Sequence, residues 1–299
     1  MTSEIPPDAA RRCAVLGSPV DHSLSPLLHR TAYARLGLNW TYTAHEVTEQ
    51  TLPAFLVGLD PSWRGLSLTM PLKRAVLPLL DDVEPVARSV EAVNTVLLSP
   101  GRRFGANTDV SGLLTALRTA MSSLGESQPA GHAIVVGAGA TAASALAALS
   151  RLGVDSVDLR VRDLARAHPT LLVGDRLGLE VRVLPLDAPW QSAPWAVSSV
   201  PSGGAVVVST VPSAVAVEVL PENVLSGAVV ADVRYDPWPS PLLAVAQRRG
   251  SATVTGIDLL VHQAVAQVRL MTGQEVAADA LLEAAEAAVR RRAAEPPRG

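Results

Sequence analysis

Residues 132–153 read "HAIVVGAGATAASALAALSRLG", and no other stretch limits the fold as tightly. An apolar, β-branched run ends on Gly137 and Gly139, and an alanine-rich segment closed by Gly153 follows at once. A buried strand must therefore turn sharply into a helix. With Ala142 in the third position the turn has the pattern G-x-G-x-x-G/A. The first glycine makes the turn, the second lets a pyrophosphate approach the backbone, and the small third residue lets helix pack on strand. Free N–H groups of the first helical turn would then face the phosphates. Gly137, Ala138, Gly139, Ala140 and Thr141 are thus the expected dinucleotide-binding turn.

The rest of the chain alternates in the same way, which predicts an α/β architecture with largely parallel sheets. "CAVLG" reads as a first strand and "SPLLHRTAYARLGL" as a helix with Pro26 in its first turn and Gly37 at its end. "WTYTAHEV", "GLSLTM" and "TVLLS" read as strands, "TLPAFLVGL" as a short helix, and "EPVARSVEAVN" as a helix running through Asn94. "VSGLLTALRTAM" is helical, and the polar "GESQPAG" separates this first unit from the second. In the second unit "VDSVDLRVRD", "GAVVVSTVP" and "GAVVADVRY" are further strands, whereas the Pro-, Ser- and Trp-rich stretch around 185–204 fits no element. Two helices close the chain, the last acidic early and basic late, as the helix dipole favours. The expected domains are 1–110, completed by helices over about 258–293, and 111–257.

The end of the strand after the glycine turn discriminates between dinucleotides, because NAD wants a carboxylate for its ribose and NADP wants cations for its 2′-phosphate. The sequence there is "LRVRDLARA". Arg162 and Arg166 could clamp a phosphate, while Asp163 between them could bond a ribose or cap the next helix. The pair of arginines favours NADP(H).

One residue stands out in the first unit. Lys73, in "SLTMPLKR", is the only lysine among 25 cationic residues. An arginine holds its proton in any protein setting, whereas a lysine can give its proton up, so Lys73 is a candidate acid. Polar clusters without a structural excuse surround it in sequence: Ser23, Ser25 and His29; Ser67 and Thr69; Asn94; Asn107 and Asp109. Each sits where a strand meets a helix or turn, the usual place for ligand groups in open α/β sheets. Taken singly, Ser23 and Ser25 could cap a helix, Asp109 could do the same, and Asn94 could be a turn residue.

Together, "SLSPLLH", "SLTMPLK", "AVNT", "ANTD", the glycine turn, "YDPWPSPLL" and "GIDLLVHQA" resemble the shikimate dehydrogenase family, particularly its actinobacterial form, over about Cys13–Gly273. The resemblance implies an N-terminal α/β substrate domain, a C-terminal Rossmann NADP-binding domain, and an active site in the cleft between them. It implies Lys73 and Asp109 as the catalytic pair and Ser23, Ser25, Ser67, Thr69, Asn94 and Gln263 as substrate contacts. Tyr235 would close over the carboxylate, with a packed aromatic as the plainer alternative, and Gly256 would lie beside the cofactor. The implied reaction is the reversible NADPH-dependent reduction of 3-dehydroshikimate to shikimate. Alternatives are the same fold acting on quinate or an amino-substituted shikimate, or a non-catalytic nucleotide-binding paralogue. Ser67 stands where the family has asparagine, Asp163 is an acid beside the expected phosphate, and Asp258 and His262 stand where small residues are common.

A formal charge of −3 gives no basic field for nucleic acid or anionic lipid. No apolar run is long enough to span a membrane, and the first residues lack the features of a secretory leader. One cysteine, Cys13, excludes an internal disulfide and reads as a core strand residue. No metal-ligand spacing occurs among the histidines. The expected protein is a cytoplasmic monomer or homodimer with a small-molecule partner.

Overall fold

The computed structural model describes residues 10–126, 131–190 and 205–294. The readings made of the N-terminal residues 1–9, of 127–130 in "GESQPAG", of 191–204 and of the last residues 295–299 lie outside the described residues. The chain divides into two compact units: residues through Thr108 with Gln263–Ala288, and Asp109–His262 with the residues from Val289 on.

In the first unit the elements are β1 (Arg11–Gly17), α1 (Ser25–Arg35), β2 (Trp40–Glu46), α2 (Leu52–Val57), β3 (Trp63–Leu68), α3 (Leu72–Ala75), β4 (Asp82–Val83), α4 (Pro85–Ser89), β5 (Thr95–Ser99) and β6 (Arg102–Ala106). The sheet order is β2-β1-β3-β5-β6-β4. β1 is parallel to β2 and β3, but β5 runs antiparallel to β3 and β6 antiparallel to β5. β4 is parallel to β6, so this sheet is mixed, its parallel pairings interrupted where β5 runs against both of its neighbours. "SPGR" forms a tight hairpin with Gly101 at positive φ, and "RRFGA" is a strand that the sequence pattern did not reveal. Cys13 is buried in β1 as expected, and burial pushes its thiol up to about 11.

The helix expected to run through Asn94 ends at Ser89. Ala92 N–H donates back to the Ala87 carbonyl at 3.1 Å, and Glu91 takes the left-handed conformation with φ of 50° that usually falls to glycine after a helix. Five residues are thereby freed from the helix, and Asn94 reaches the head of β5.

The second unit takes in most of α5 (Thr108–Ser123), then β7 (His132–Val136), α6 (Ala140–Leu152), β8 (Ser156–Val161), α7 (His168–Leu177), β9 (Glu180–Pro185), β10 (Val206–Ser209), α8 (Ser213–Val219), β11 (Val229–Asp232), α9 (Pro241–Arg248), β12 (Ala252–Val254) and the start of α10 (Gly256–Thr272). α11 (Ala278–Ala294) ends the described chain. All six strands are parallel, in the order β9-β8-β7-β10-β11-β12. This is the doubly wound order, whose direction of growth reverses between β7 and β10. The strands are buried on both faces: Ala133, Ile134, Val135 and Val136 of β7 are all in the core. Among the described residues no helix is long and apolar enough to cross a membrane.

Candidate active site

In the first unit β1 and β3 run parallel, so their carboxyl ends share one edge of the sheet, and the polar clusters gather there. Thr69 N–H donates to the Leu16 carbonyl at 2.9 Å and Ser18 N–H to the Met70 carbonyl at 3.0 Å. A Cβ on Gly17 would lie 2.3 Å from Thr69 Cγ2, so only glycine lets the two loops close on each other. Lys73, partly buried on α3, is tied to the approach of β5 because Val93 N–H donates to its carbonyl at 2.8 Å. Leu68 N–H donates to the Asn94 carbonyl at 2.8 Å. Thr69, Lys73 and Asn94 are thus fixed to one another by backbone hydrogen bonds rather than by chance proximity.

Beneath them lies a buried polar layer. Asn94, 2% exposed, accepts at Oδ1 from Thr108 N–H and from Thr95 Oγ1–H, both at 2.8 Å, and donates from Nδ2 to Thr108 Oγ1 at 2.9 Å and Gln263 Oε1 at 3.4 Å. Two donors on one atom fix the amide with its N–H groups toward Gln263. Ser67 accepts from Tyr42 Oη–H at 2.5 Å and donates to Gln267 Oε1 at 2.7 Å. Asn107 donates to the Ala92 carbonyl at 2.9 Å, and Asp109, one residue beyond Thr108, is buried inside the first turn of α5 rather than at its cap.

Ser23 and Ser25 follow β1 at the start of α1. The residue at the cap position is Leu24, and no side chain caps the helix; Ser23 Oγ accepts from Ser25 N–H at 3.2 Å. One turn on, His29 is fully buried and stacks on Tyr42 with ring centroids 4.0 Å apart. Burial lowers its imidazole to about 4, against the hydrogen bond with Gln267, so the ring is neutral at physiological pH.

In the second unit the glycine turn sits beside the end of β10, at the point where the strand order reverses. Gly137 has φ of 105° and a Cβ there would lie 2.3 Å from Thr210 Oγ1, so the position is closed to every other residue. Gly139, by contrast, faces open space, with nothing within 4 Å of an added Cβ. That is the room a pyrophosphate needs above the N–H groups of Ala140 and Thr141 at the start of α6. Ala142 is fully buried, as the third small residue of the turn should be. Ala138 contributes its carbonyl to Thr170 Oγ1–H at 2.8 Å, which holds the turn to α7.

Asp163 Oδ1 accepts from Ala165 N–H at 3.0 Å and Arg166 N–H at 3.3 Å, so its carboxylate caps the turn that follows β8. Of its two sequence readings, ribose ligand or cap, the cap is the one realised in these contacts. Arg162 and Arg166 are exposed beside it, with the Arg166 Nε 3.9 Å from Asp163 Oδ2. Open space over Gly139 and two exposed guanidinium groups at the end of β8 fit a dinucleotide that carries a 2′-phosphate.

Tyr235 lies on the loop after β11, whose base is anchored by fully buried Asp232. The Asp232 carboxylate accepts from Ser240 Oγ–H at 2.6 Å, from Ser213 Oγ–H, and from Arg234 N–H at 3.2 Å. Gly256 packs on that loop: a Cβ would stand 2.6 Å from the Arg234 carbonyl carbon, so any side chain would displace the loop backbone. Asp258 is a helix-capping acid. It accepts from Thr255 N–H at 2.7 Å while its own N–H donates to Thr255 Oγ1 at 3.1 Å, a reciprocal box at the head of α10. His262, one turn on, is half-buried, and burial lowers its imidazole against the pull of Asp258.

Sequence reasoning missed Tyr42, Thr95, Thr108 and Gln267. Thr95 and Thr108 stand inside the motifs "AVNT" and "ANTD" without having been given a role, and Gln267 follows Gln263 by four residues in a helix and so shares its face.

A model described as the shikimate dehydrogenase substrate binding domain matches residues 15–96, and one described as the shikimate 5′-dehydrogenase C-terminal domain matches 256–286. The shikimate dehydrogenase (NADP(+)) of Moorella thermoacetica is 36% identical over 269 residues, covering 88% of this chain and 88% of its own. The crystal structure of Mycobacterium tuberculosis shikimate dehydrogenase superposes with a TM-score of 0.79 at 36% identity, over 93% of this chain and 99% of that one. Shikimate 5-dehydrogenase of Thermus thermophilus, in complex with NADP(H) and shikimate, gives 0.75 at 32% identity, over 93% and 99%.

Proposed function

Because the chain belongs to the shikimate dehydrogenase family, we propose that it catalyses the reversible NADPH-dependent reduction of 3-dehydroshikimate to shikimate, with Lys73 and Asp109 as the acid–base pair. The observation that carries this reading is the edge of the first sheet, where backbone hydrogen bonds bring Lys73 and Thr69 to a buried polar layer in which Asn94 is bonded to Gln263. Residues through Thr108, with α10 from Gln263 and most of α11, form the substrate-binding unit, and the parallel sheet holds the cofactor. We place the protein in the cytoplasm, acting on small-molecule ligands; its charge of −3 gives no basic field for a nucleic-acid partner.

Reduction of a ring ketone needs a hydride at carbon and a proton at oxygen. NADPH supplies the hydride when bound; Gly137, Gly139 and the first turn of α6 seat its pyrophosphate, and Arg162 and Arg166 its 2′-phosphate. The Lys73 ammonium hydrogen-bonds the substrate carbonyl, stabilises the oxygen as negative charge develops, and gives it the proton. An arginine could stabilise that charge but is a very poor acid. Asp109 orients the ammonium. Ser23 and Ser25 take the substrate carboxylate, Tyr235 closes on it, and Thr69, Asn94, Gln263 and Ser67 read the ring hydroxyls.

The test is to follow NADPH absorbance with 3-dehydroshikimate, with NADH in place of NADPH, and with quinate plus either oxidised cofactor. Turnover with NADPH and 3-dehydroshikimate is expected. Turnover with quinate alone would move the substrate assignment, and silence in every pairing would overturn the reading of the chain as an enzyme.

A further inference from the structure

Gln267 is 1% exposed, and each of the four groups it bonds lies 172 or more residues away in sequence. Its amide nitrogen is 3.1 Å from the Asn94 carbonyl and 2.9 Å from Thr95 Oγ1; its oxygen is 2.7 Å from Ser67 Oγ and 3.1 Å from His29 Nε2. A backbone carbonyl can only accept, so the atom facing Asn94 must be the nitrogen, and the amide has one possible orientation. Directions then follow in order. The Gln267 oxygen must accept from both remaining neighbours, so Ser67 gives it the one proton of its hydroxyl and His29 carries its proton on Nε2. His29 Nδ1 is left as an acceptor toward Tyr33 Oη at 3.5 Å. Tyr42, which donates to Ser67 at 2.5 Å, occupies one of the two lone pairs on that oxygen. On the other side, Thr95 receives from Gln267 and passes its own proton to Asn94 Oδ1 at 2.8 Å.

We propose that Gln267 is a positioning residue that sets the hydrogen-bonding polarity of substrate recognition, through the two groups it holds. By taking the Ser67 proton it leaves Ser67 able to meet a ligand only as an acceptor; by bonding the Asn94 carbonyl and Thr95, whose hydroxyl donates to Asn94 Oδ1, it helps to hold the Asn94 amide with Nδ2 toward Thr108 and Gln263. A ligand hydroxyl satisfies Ser67, because it can donate to the remaining lone pair. A carbonyl or carboxylate oxygen opposite Ser67 would meet only a lone pair. The layer therefore selects hydroxyl groups where Ser67 is reached, and it does so from a residue that contacts no ligand. This inference rests on the proposed dehydrogenase activity and on the substrate contacts assigned above.

The experiment is steady-state kinetics in the shikimate-oxidation direction for wild type, Gln267→Met, Ser67→Ala, the double variant and Thr95→Val. Gln267→Met keeps the length of the side chain and removes all four hydrogen bonds, and is expected to raise KM for shikimate about tenfold, the size of one or two lost net hydrogen bonds, with KM for NADP+ unchanged. Ser67→Ala added to Gln267→Met should cost little more, because without the Gln267 oxygen the Ser67 hydroxyl is already free to rotate and no longer presents a fixed acceptor. Thr95→Val, which breaks the bond from Gln267 Nε2 and the bond to Asn94 Oδ1 but leaves Gln267 bonded to Ser67, His29 and the Asn94 carbonyl, should raise the same KM by a smaller factor and guards against failure of Gln267→Met to fold. Equal rises in both KM values, full additivity in the double variant, or an unchanged shikimate KM in Thr95→Val would overturn the positioning role. A wild type that does not oxidise shikimate would instead overturn the activity on which the role depends.

Discussion

The two units handle polar groups in opposite ways. In the first, the groups around the ligand edge are buried and bonded to one another: His29, Ser67, Asn94 and Gln267 are all under 5% exposed, and the layer is closed by Tyr42, Thr95 and Thr108. In the second, the groups expected to meet the cofactor are backbone N–H groups beside an open glycine and two exposed arginines. Discrimination between similar ring hydroxyls needs donors and acceptors that cannot turn, and burial with full pairing supplies that rigidity. A phosphate needs charge and a concave backbone, both of which a surface turn provides. Changes in the buried layer of the first unit should therefore reach folding and turnover together, whereas changes at the exposed Arg162 and Arg166 should reach one binding constant.

The largest effect tests the centre of the first unit. Lys73→Ala is expected to lower kcat by about a hundred- to ten-thousand-fold with a smaller change in substrate KM. Lys73→Arg should not rescue it; wild-type turnover by that variant would end the proton-transfer role.

The next tests burial of the layer itself. His29 titrates at 6.5 in an ordinary setting and is lowered to about 4 in the fold, so between these values the unfolded chain binds more protons than the native one. The stability due to a neutral His29 is complete above about pH 6.5, falls as pH drops, and is gone near pH 4, a loss of about 3 kcal/mol. Denaturant midpoints for wild type and His29→Gln across that range should show a steeper fall in wild type; parallel slopes would mean that the ring accepts a proton in place.

At the cofactor turn, Arg162→Ala with Arg166→Ala should weaken NADPH relative to NADH by roughly ten- to a hundredfold, the loss of one or two charge-assisted hydrogen bonds, with thermal stability unchanged. A matching loss of stability would erase the contrast between the units. The smallest effect is expected for Asp163→Ala, which removes a cap and should cost about 1 kcal/mol of stability while leaving cofactor preference in place. A shift of that variant toward NADPH would mean that the acid also opposes the 2′-phosphate.

By itself the sequence was enough for several features set by neighbours along the chain. The strand, glycine turn and helix over 132–153, Pro26 in the first turn of α1 and the polarity of α11 are each governed by local backbone preference and apolar periodicity. The polar clusters put Lys73 and Asn94 at ends of elements, and the family resemblance added Gln263, which lies within α10. Folding decided which of several local alternatives was taken, and everything that depends on distant partners. Asn94 leaves its expected helix because Ala92 bonds back to Ala87 and the head of β5 claims it. Asp163 is a cap because Ala165 and Arg166 turn their N–H groups to it. Gln267 acquires its role through bonds that span 172 to 238 residues, and no local pattern encodes them. A buried hydrogen-bond donor needs a partner of complementary type, and only the packed chain determines which residue stands there.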